Sequence, residues 1–223
     1  MRLLIAGGIV LLVGGAEPAG AATMAEIGDA GDLPGIAQTS AGMQPFGTPL
    51  DSITGTIASA SDQDMFEIFI NDPATFSAST NNSGTNLTVD DDTMLFLLDA
   101  SGRGVLGNDD ADVTSFKSTI PIGSLTGASG VYFIAVSIFA NTPISSGGEI
   151  FDLAALVPGA AVGPNGPGGG SPITGWDLFP DPSQTGPYRI DLTGATFVPE
   201  PSTVALTALG LAALAWRRRL HHS

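Results

Sequence analysis

The sequence contains no cysteine, and its two histidines, His221 and His222, stand next to the last residue. Disulfide bonds and thiolate metal sites are therefore excluded. The body of the chain also cannot build a Ser-His-Asp triad, a Cys-His pair or a histidine-bound zinc site. We therefore predict that the protein is not an enzyme. The remaining catalytic alternative is a glycoside hydrolase, because that chemistry needs only two carboxylic acids.

Basic residues are also scarce. Seven Lys and Arg stand against 22 Asp and Glu, which gives a formal net charge of -15. Four of the seven lie in the two ends of the chain, at Arg2 and at residues 217–219, so the body keeps only Arg103, Lys117 and Arg189. An acidic body of this kind repels nucleic acids and anionic surfaces. We therefore predict no nucleic-acid partner.

The chain opens with an apolar segment that is too short to cross a membrane. Residues 3–13 are apolar and follow Arg2, which is the only charge of a minimal basic region. Ala19 and Ala21 then place small residues at the spacing of a cleavage site. This pattern predicts a secretory signal peptide over residues 1–21. The alternative is a short N-terminal anchor that is never cleaved.

The other end combines prolines, an apolar run and a basic cluster. Pro199 and Pro201 interrupt any regular element, and residues 203–216 are then uncharged and rich in Ala and Leu. The run predicts a helix, although about 20 apolar residues are usual for a bilayer span. Trp216 suits the membrane interface, and the arginines that follow suit the cytoplasmic side. We therefore predict a C-terminal transmembrane helix.

This arrangement resembles the PEP-CTERM sorting signal of Gram-negative bacteria, and the resemblance covers residues 198–223. The residues that carry it are the processing motif Val198, Pro199, Glu200 and Pro201 and the membrane-facing group Trp216, Arg217, Arg218 and Arg219. In that family the signal is recognised by exosortase, a membrane protease and transpeptidase. The resemblance implies export, transient anchoring in the inner membrane, processing by exosortase, and a final place at the cell surface or outside the cell, often beside exopolysaccharide.

Glycine and proline are abundant, with 30 Gly and 16 Pro in the chain. About 175 residues remain between the two ends, which suffices for one domain with a core. Residues 22–49 hold few large apolar side chains, and we predict a flexible lead-in there. Residues 50–197 form the globular part, in which a Gly- and Pro-rich insertion over residues 141–187 is predicted to be mostly loop.

Short apolar segments separated by turns indicate strands. Phe66, Ile68 and Ile70 share one face of a predicted strand, with Glu67 on the other face. Residues 94–98 are apolar on both faces, which predicts a strand buried on both sides. With further strands at residues 131–140 and 188–197, the pattern predicts an all-β fold, namely an antiparallel β-sandwich or jelly roll.

Four segments of the body are similar to bacterial pre-peptidase C-terminal (PPC) domains. They are Asp-Gln-Asp followed by a strand at residues 62–70, Leu-Phe-Leu-Leu-Asp-Ala-Ser-Gly at residues 95–102, Asn-Asp-Asp at residues 108–110, and Gly-Val-Tyr-Phe-Ile-Ala-Val at residues 130–136. The resemblance implies a β-sandwich accessory module of the kind found in secreted enzymes. Some such modules are associated with substrate or calcium binding.

An acidic loop suggests calcium as the candidate cofactor. Asn108, Asp110 and Asp112 have the odd-position spacing of a calcium loop, but Val113 and Thr119 stand where an EF-hand has Gly and Glu. The predicted ligands are Asn108, Asp109, Asp110 and Asp112, joined by Asp90 and Asp92 from a neighbouring strand. The alternative is a set of solvated turn carboxylates.

These patterns predict an exported, non-catalytic component of the cell envelope or extracellular matrix. The alternative is a polysaccharide- or peptide-binding module, stabilised by calcium, in which Trp176, Phe179 and Tyr188 line one face. Exposure of Trp176 beside other aromatic rings would favour binding, whereas its burial would favour the structural role.

Overall fold

Strands account for most of the regular structure. A computed structural model describes residues 20, 22–80, 92–178 and 184–200. The strands are β1 (Ala22–Ala25), β2 (Gln38–Thr39), β3 (Leu50–Ile57), β4 (Asp64–Ile70), β5 (Ser77–Ser79), β6 (Thr93–Asp99), β7 (Gly104–Asn108), β8 (Thr119–Ile120), β9 (Gly130–Ile138), β10 (Thr142–Ser145), β11 (Gly148–Glu149), β12 (Ile173–Asp177), β13 (Gly186–Thr193) and β14 (Ala195–Thr196). A short 3-10 helix covers Leu153–Ala155. The all-β prediction is confirmed.

The strands form three sheets. The first has the order β1-β3-β13-β5-β8, the second has the order β14-β4-β9-β6-β7 with β2 also paired to β4, and the third has the order β11-β10-β12. Most neighbours are antiparallel, but β1 runs parallel to β3 and β2 runs parallel to β4. The predicted antiparallel arrangement therefore holds for most strand pairs but not for these two.

The first and second sheets enclose the main core. Ile53 of β3, Ile190 of β13, Phe66 of β4 and Leu97 of β6 are all completely buried in one cluster. Alternation along β4 places Phe66, Ile68 and Ile70 in this core, as predicted. Each such side chain contributes about 1.5–3 kcal/mol through burial, so this core is the main source of stability.

Strand β6 is buried on both faces, as its sequence predicts. Leu95 and Leu97 point into the main core, whereas Met94, Phe96 and Leu98 belong to a second apolar cluster on the opposite face of the sheet. A strand with two apolar faces needs cover on both sides. This requirement explains the fold of the insertion.

Most of the described part of the insertion has no regular structure, but it also contains three short strands that its composition did not predict. Its strands β10, β11 and β12 form the third sheet, and Ile150 and Phe151 are completely buried in the second cluster. The Phe151 ring lies 5.3 Å from the ring of Phe96. The Gly- and Pro-rich composition hid these short strands, but the outer face of β6 supplies the apolar partner that makes them fold.

The lead-in is also ordered, contrary to the prediction of a flexible segment. Strand β1 pairs with the edge strand β3, and Met24 is 1% exposed. Strand β2 pairs with β4. The local composition is poor in apolar residues, but open edges of β3 and β4 offer unpaired backbone groups, which this segment satisfies.

The chain changes sheets shortly before its last strand. Strand β13 belongs to the first sheet and β14 to the second, and Gly194 lies between them with a positive φ of 67°. A Cβ at this position would lie 2.8 Å from the carbonyl oxygen of Asp72 and from the amide nitrogen of Phe76. Only glycine fits this crossing without strain.

No helix among the described residues has the length and apolarity needed to span a bilayer. The predicted transmembrane helix over residues 203–216 and the predicted signal peptide over residues 1–21 lie outside the described residues.

Candidate functional site: acidic clusters and the Pro-Glu-Pro segment

Three carboxylates meet where the lead-in crosses the turn between β3 and β4. Asp29, Asp62 and Asp64 each offer a carboxylate oxygen, and these oxygens lie within 4.8 Å of one another; we call this group the Asp64 cluster. Asp29 comes from the segment between β1 and β2. The amide of Met65 donates to the carbonyl of Gly31 at 2.9 Å, and this bond holds the segment against the start of β4.

Asp64 is the most unusual member of the Asp64 cluster. Its side chain is completely buried, and neither carboxylate oxygen has a hydrogen-bond partner. Burial raises the pKa of Asp64 to about 8, and the charges of Asp62, Glu26 and Asp29 add to the rise. The Tyr188 hydroxyl lies beside the carboxylate and partly opposes the rise, although it does not adopt hydrogen-bond geometry. A buried carboxylate in this state needs a proton or a cation.

A cleft of about 380 Å³ opens beside the Asp64 cluster, lined by Asp29, Gly31, Asp32, Ile36, Ser61, Asp62 and Gln63. Burial raises the pKa of Asp62, and the amide of Ala58, which donates to the carboxylate at 2.5 Å, opposes the rise. Calcium takes six to eight oxygen ligands, typically carboxylates completed by water or backbone carbonyls. Three carboxylates beside a polar cleft match that preference.

Sequence reasoning missed the Asp64 cluster. The sequence places Asp62 and Asp64 only in the segment at residues 62–70 that resembles PPC domains, and Asp29 lies in the segment that is predicted to be flexible. The sequence signal that could have revealed this cluster is Asp-Gln-Asp directly before a buried strand. Asp64 is the first residue of that strand, and alternation places it on the same face as the core residue Phe66.

A second acidic cluster lies where β6 begins and β7 ends. Asp92, Asp109 and Asp110 bring carboxylate oxygens within 4.8 Å of one another; we call this group the Asp109 cluster. Asp109 is 7% exposed, and one of its carboxylate oxygens has no hydrogen-bond partner. Burial raises the pKa of Asp109 to about 7, helped by the charges of Asp110 and Asp92. Three of the predicted calcium ligands therefore lie together.

The other predicted ligands do not join them. Asn108 uses its amide nitrogen on the carbonyls of Asp110 and Ala160, at 3.1 and 2.9 Å, and its amide oxygen accepts from the Thr119 amide at 2.6 Å. It is a structural residue. Asp112 lies on the surface, where its carboxylate accepts from the amide and hydroxyl of Thr114, and these bonds lower its pKa. Asp90 lies outside the described residues.

The predicted aromatic face is not found among the described residues. Tyr188 is 1% exposed and belongs to the main core. Trp176 packs on the second cluster, with its ring 5.8 Å from that of Phe96, and its indole nitrogen donates to the carbonyl of Asp32 at 2.8 Å. Phe179 lies outside the described residues. Trp176 is therefore half-buried, a state that decides neither for the structural role nor for binding.

The Pro-Glu-Pro segment begins inside the folded body. Phe197 and Val198 are 1% and 7% exposed. The Phe197 amide donates to the carbonyl of Thr48 at 3.2 Å, and the Val198 amide donates to the hydroxyl oxygen of Ser40 at 2.8 Å. Both partners belong to the segment between β2 and β3. That segment therefore anchors the start of the motif.

Glu200 continues along the same segment. A Cβ added to Gly42 would lie 3.1 Å from a carboxylate oxygen of Glu200, and a hollow of about 300 Å³ is lined by Glu200 and residues 42–46. The other predicted site residues lie outside the described residues: Pro201, Trp216, Arg217, Arg218, Arg219, Ala19 and Ala21.

Comparison with known proteins supports one of the two resemblances. The family model described as the PEP-CTERM protein-sorting motif matches residues 197–219. No family match supports a PPC-like body, and no curated protein matches the chain. The matched residues include the processing motif, the apolar run and the arginine cluster. The chain therefore carries a PEP-CTERM sorting motif, which implies export and membrane-associated sorting by exosortase, a membrane protein.

Proposed function

We propose that this protein is an exported, non-catalytic component of the cell envelope or extracellular matrix. In the proposal, a signal peptide cleaved near Ala19 and Ala21 directs export, residues 203–216 hold the precursor in the inner membrane, and processing near Pro199 and Pro201 transfers the body to the cell surface or beyond. The match of the sorting motif to residues 197–219 carries the proposal.

The junction between the body and the motif supports this order of events. Strand β14 ends at Thr196, and the matched motif starts at the next residue. Phe197 and Val198, the first residues of the motif, are buried in the folded body, so the body is delivered as one unit with the segment that is processed. The mature role proposed for that unit is structural, and contact with exopolysaccharide remains a prediction.

The experiment that tests the proposal compares two Pro-acid-Pro sequences within one chain. Residues 199–201 read Pro-Glu-Pro, and residues 180–182 read Pro-Asp-Pro without a following apolar run. In a host that contains exosortase, we expect alanine replacement of residues 199–201 to leave a full-length tail in the inner membrane. Replacement of residues 180–182 should leave processing unchanged.

Intact mass and membrane fractionation supply the measurement. The expected wild-type product has lost both ends and left the inner membrane. A wild-type product that keeps its tail, or that never reaches the membrane, contradicts the proposal. Equal processing of the two alanine variants would also contradict the proposal.

A second proposal concerns the body, which we infer binds calcium at the Asp64 cluster. The completely buried Asp64 carboxylate, with neither oxygen hydrogen-bonded, is the observation that favours it. A divalent cation supplies the positive charge that this group lacks, while Asp29, Asp62 and the adjoining cleft supply further oxygens and room for water. The Asp109 cluster is a second candidate for the same ion.

Thermal unfolding of the full chain in calcium, magnesium or EDTA tests this second proposal. Ligand at about 100 times its Kd stabilises a protein by about 2.7 kcal/mol, so calcium should raise Tm clearly above the value in EDTA. Asp64→Asn should abolish most of this increase. The matched control is Asp177→Asn, which removes an exposed Asp of β12 and should keep the full increase. An increase that survives Asp64→Asn would assign calcium elsewhere, and Asp109→Asn would then locate it.

A further inference from the structure

The segment that anchors the Pro-Glu-Pro motif differs in charge from the rest of the body. Residues 33–50 contain no Asp, Glu, Lys or Arg, although the chain has 22 acidic residues. Residues 40–48 of this segment, here called the neutral loop, contact the motif through Ser40 and Thr48. Glu200 itself lies against Gly42 at one side of the loop. A neutral surface can approach anionic lipid headgroups without the repulsion that an acidic surface meets.

The neutral loop also presents a large exposed aromatic ring. Phe46 is 57% exposed and lines the hollow that contains Glu200. The inner side of its ring packs edge-on against Phe69 of β4, with the ring centres 5.9 Å apart. The ring is therefore held in place while its other side remains open. A fixed aromatic side chain of this kind suits the boundary between headgroups and hydrocarbon.

The length of the tether places this surface against the membrane. Four residue steps separate Glu200 from Val204, the first apolar side chain of the predicted helix at residues 203–216, and four steps span at most about 14 Å. The headgroup layer on each side of a bilayer is about 5–7 Å thick. A precursor anchored by residues 203–216 therefore keeps Glu200 within about 14 Å of the start of the anchor, and the neutral loop that contacts Glu200 stays with it.

The two acidic clusters lie away from this surface. Asp64 and Phe69 stand five positions apart on β4, which corresponds to about 17 Å along a strand. The Asp109 cluster is close to the start of β6, where Thr93 pairs with Ile138 of β9, whereas Phe69 pairs with Val131 of the same strand. This separation keeps both acidic clusters away from the anionic leaflet. Three acidic residues lie near the neutral loop itself: Glu200 against Gly42, Asp51 three residues after Thr48, and Glu67, whose backbone carbonyl accepts from the Ser40 amide.

We propose that the neutral loop is the membrane-facing surface of the anchored precursor, with Phe46 at the lipid interface. The proposal rests on the anchoring proposed above. The partner of the neutral loop is the lipid surface of the inner membrane. The contact fixes the orientation of the body relative to the membrane. The body is held with one edge on the lipid, so that the processing motif is presented at a fixed depth.

The absence of cysteine allows a direct test with single labels. The full chain carrying Phe46→Cys, purified from the inner membrane of an export-competent host without exosortase, is labelled with an environment-sensitive fluorophore. It is then reconstituted in vesicles of phosphatidylethanolamine and phosphatidylglycerol. Quenching by headgroup nitroxide lipids and by aqueous iodide is measured. Gln44→Cys provides a second exposed position in the neutral loop that does not depend on the contact between Phe46 and Phe69.

The matched control is Phe116→Cys. Phe116 is 58% exposed, nearly the same as Phe46, and its carbonyl accepts from Thr93 at 3.1 Å, near the far end of the second sheet. On β9, seven positions separate Val131, which pairs with Phe69, from Ile138, which pairs with Thr93. This separation corresponds to about 23 Å along the strand. We expect lipid quenching at residues 46 and 44 to exceed that at residue 116 by at least about threefold, with the opposite order for iodide.

The outcomes separate the inference from the proposal on which it rests. Labelled chain that sediments with the vesicles but is quenched equally at residues 44, 46 and 116 overturns the membrane-facing surface and leaves anchoring intact. Chain that does not remain with the vesicles overturns the anchoring, and the surface with it.

Discussion

At the scale of single residues, aspartate side chains behave in opposite ways at different places in the fold. Asp112 is fully exposed, and its bonds to Thr114 stabilise the charged form and lower its pKa. Asp64 is completely buried without a hydrogen-bond partner, and its pKa is raised to about 8. The first is an ordinary turn carboxylate. The second costs stability when it is charged and without a cation, so it holds either a proton or the calcium ion proposed above.

Neighbouring residues explain why Asp64 keeps this environment. Gly55 lies close to the Tyr188 hydroxyl, and a Cβ at Gly55 would collide with that hydroxyl. The Tyr188 ring thereby closes one side of the Asp64 carboxylate, while the charges of Asp62 and Asp29 lie on another. Burial and the negative neighbours both raise the pKa of Asp64. A bound cation would act in the opposite direction and lower it.

At the scale of elements, β1 shows that the segment before β3 belongs to the fold. Met24 is 1% exposed in the main core, whereas Ile27, three residues later, is 71% exposed. We expect Met24→Ala to lower the free energy of unfolding by about 2–3 kcal/mol, because a buried Met leaves a cavity. Ile27→Ala should change it by less than about 0.5 kcal/mol.

Urea unfolding followed by circular dichroism measures both changes. Equal and small effects would mean that residues 22–25 do not pack on the core in solution. A large effect of Ile27→Ala would instead place the buried face of β1 in the wrong register.

Sequence patterns correctly predicted the strands whose formation depends on their own residues. Alternation identified β4, and the two-sided apolar run identified β6. Strands β1, β2 and β10 to β12 were missed because their pairing depends on edges and apolar faces supplied by distant parts of the chain. The sequences of these strands carry little preference of their own for strand structure.

The candidate sites follow the same rule. Asp92, Asp109 and Asp110 flank one hairpin, β6 and β7, so their proximity could be inferred from the sequence. Asp29 reaches Asp62 and Asp64 only because the segment between β1 and β2 folds back on the start of β4. No spacing within the sequence encodes that approach. The sorting motif was recognised because it is read as a linear sequence at the end of the chain.

At the scale of the whole molecule, the two acidic clusters make stability depend on pH, and the calcium binding proposed above should reverse the direction of that dependence. The folded-state pKa values of Asp64 and Asp109 are raised to about 8 and about 7, above the ordinary carboxylate value of 3.8. Between about pH 4 and pH 8 the folded protein therefore binds more protons than the unfolded chain, so its stability falls as pH rises. Asp99 and Asp112, whose pKa values are lowered, act in the opposite direction only at more acidic pH.

The body offers a clean window for this measurement, because it has no histidine or cysteine that titrates between pH 5 and pH 8. In EDTA, we expect the free energy of unfolding to decrease steadily from pH 5 to pH 8, by up to about 1.4 kcal/mol per pH unit for each of the two groups. In saturating calcium the slope should flatten or change sign, because the cation binds the deprotonated carboxylates. Denaturant unfolding at each pH gives both curves. Stability that increases from pH 5 to pH 8 in EDTA would mean that Asp64 and Asp109 are charged and solvated in the folded protein, and the cation sites would lose their physical basis.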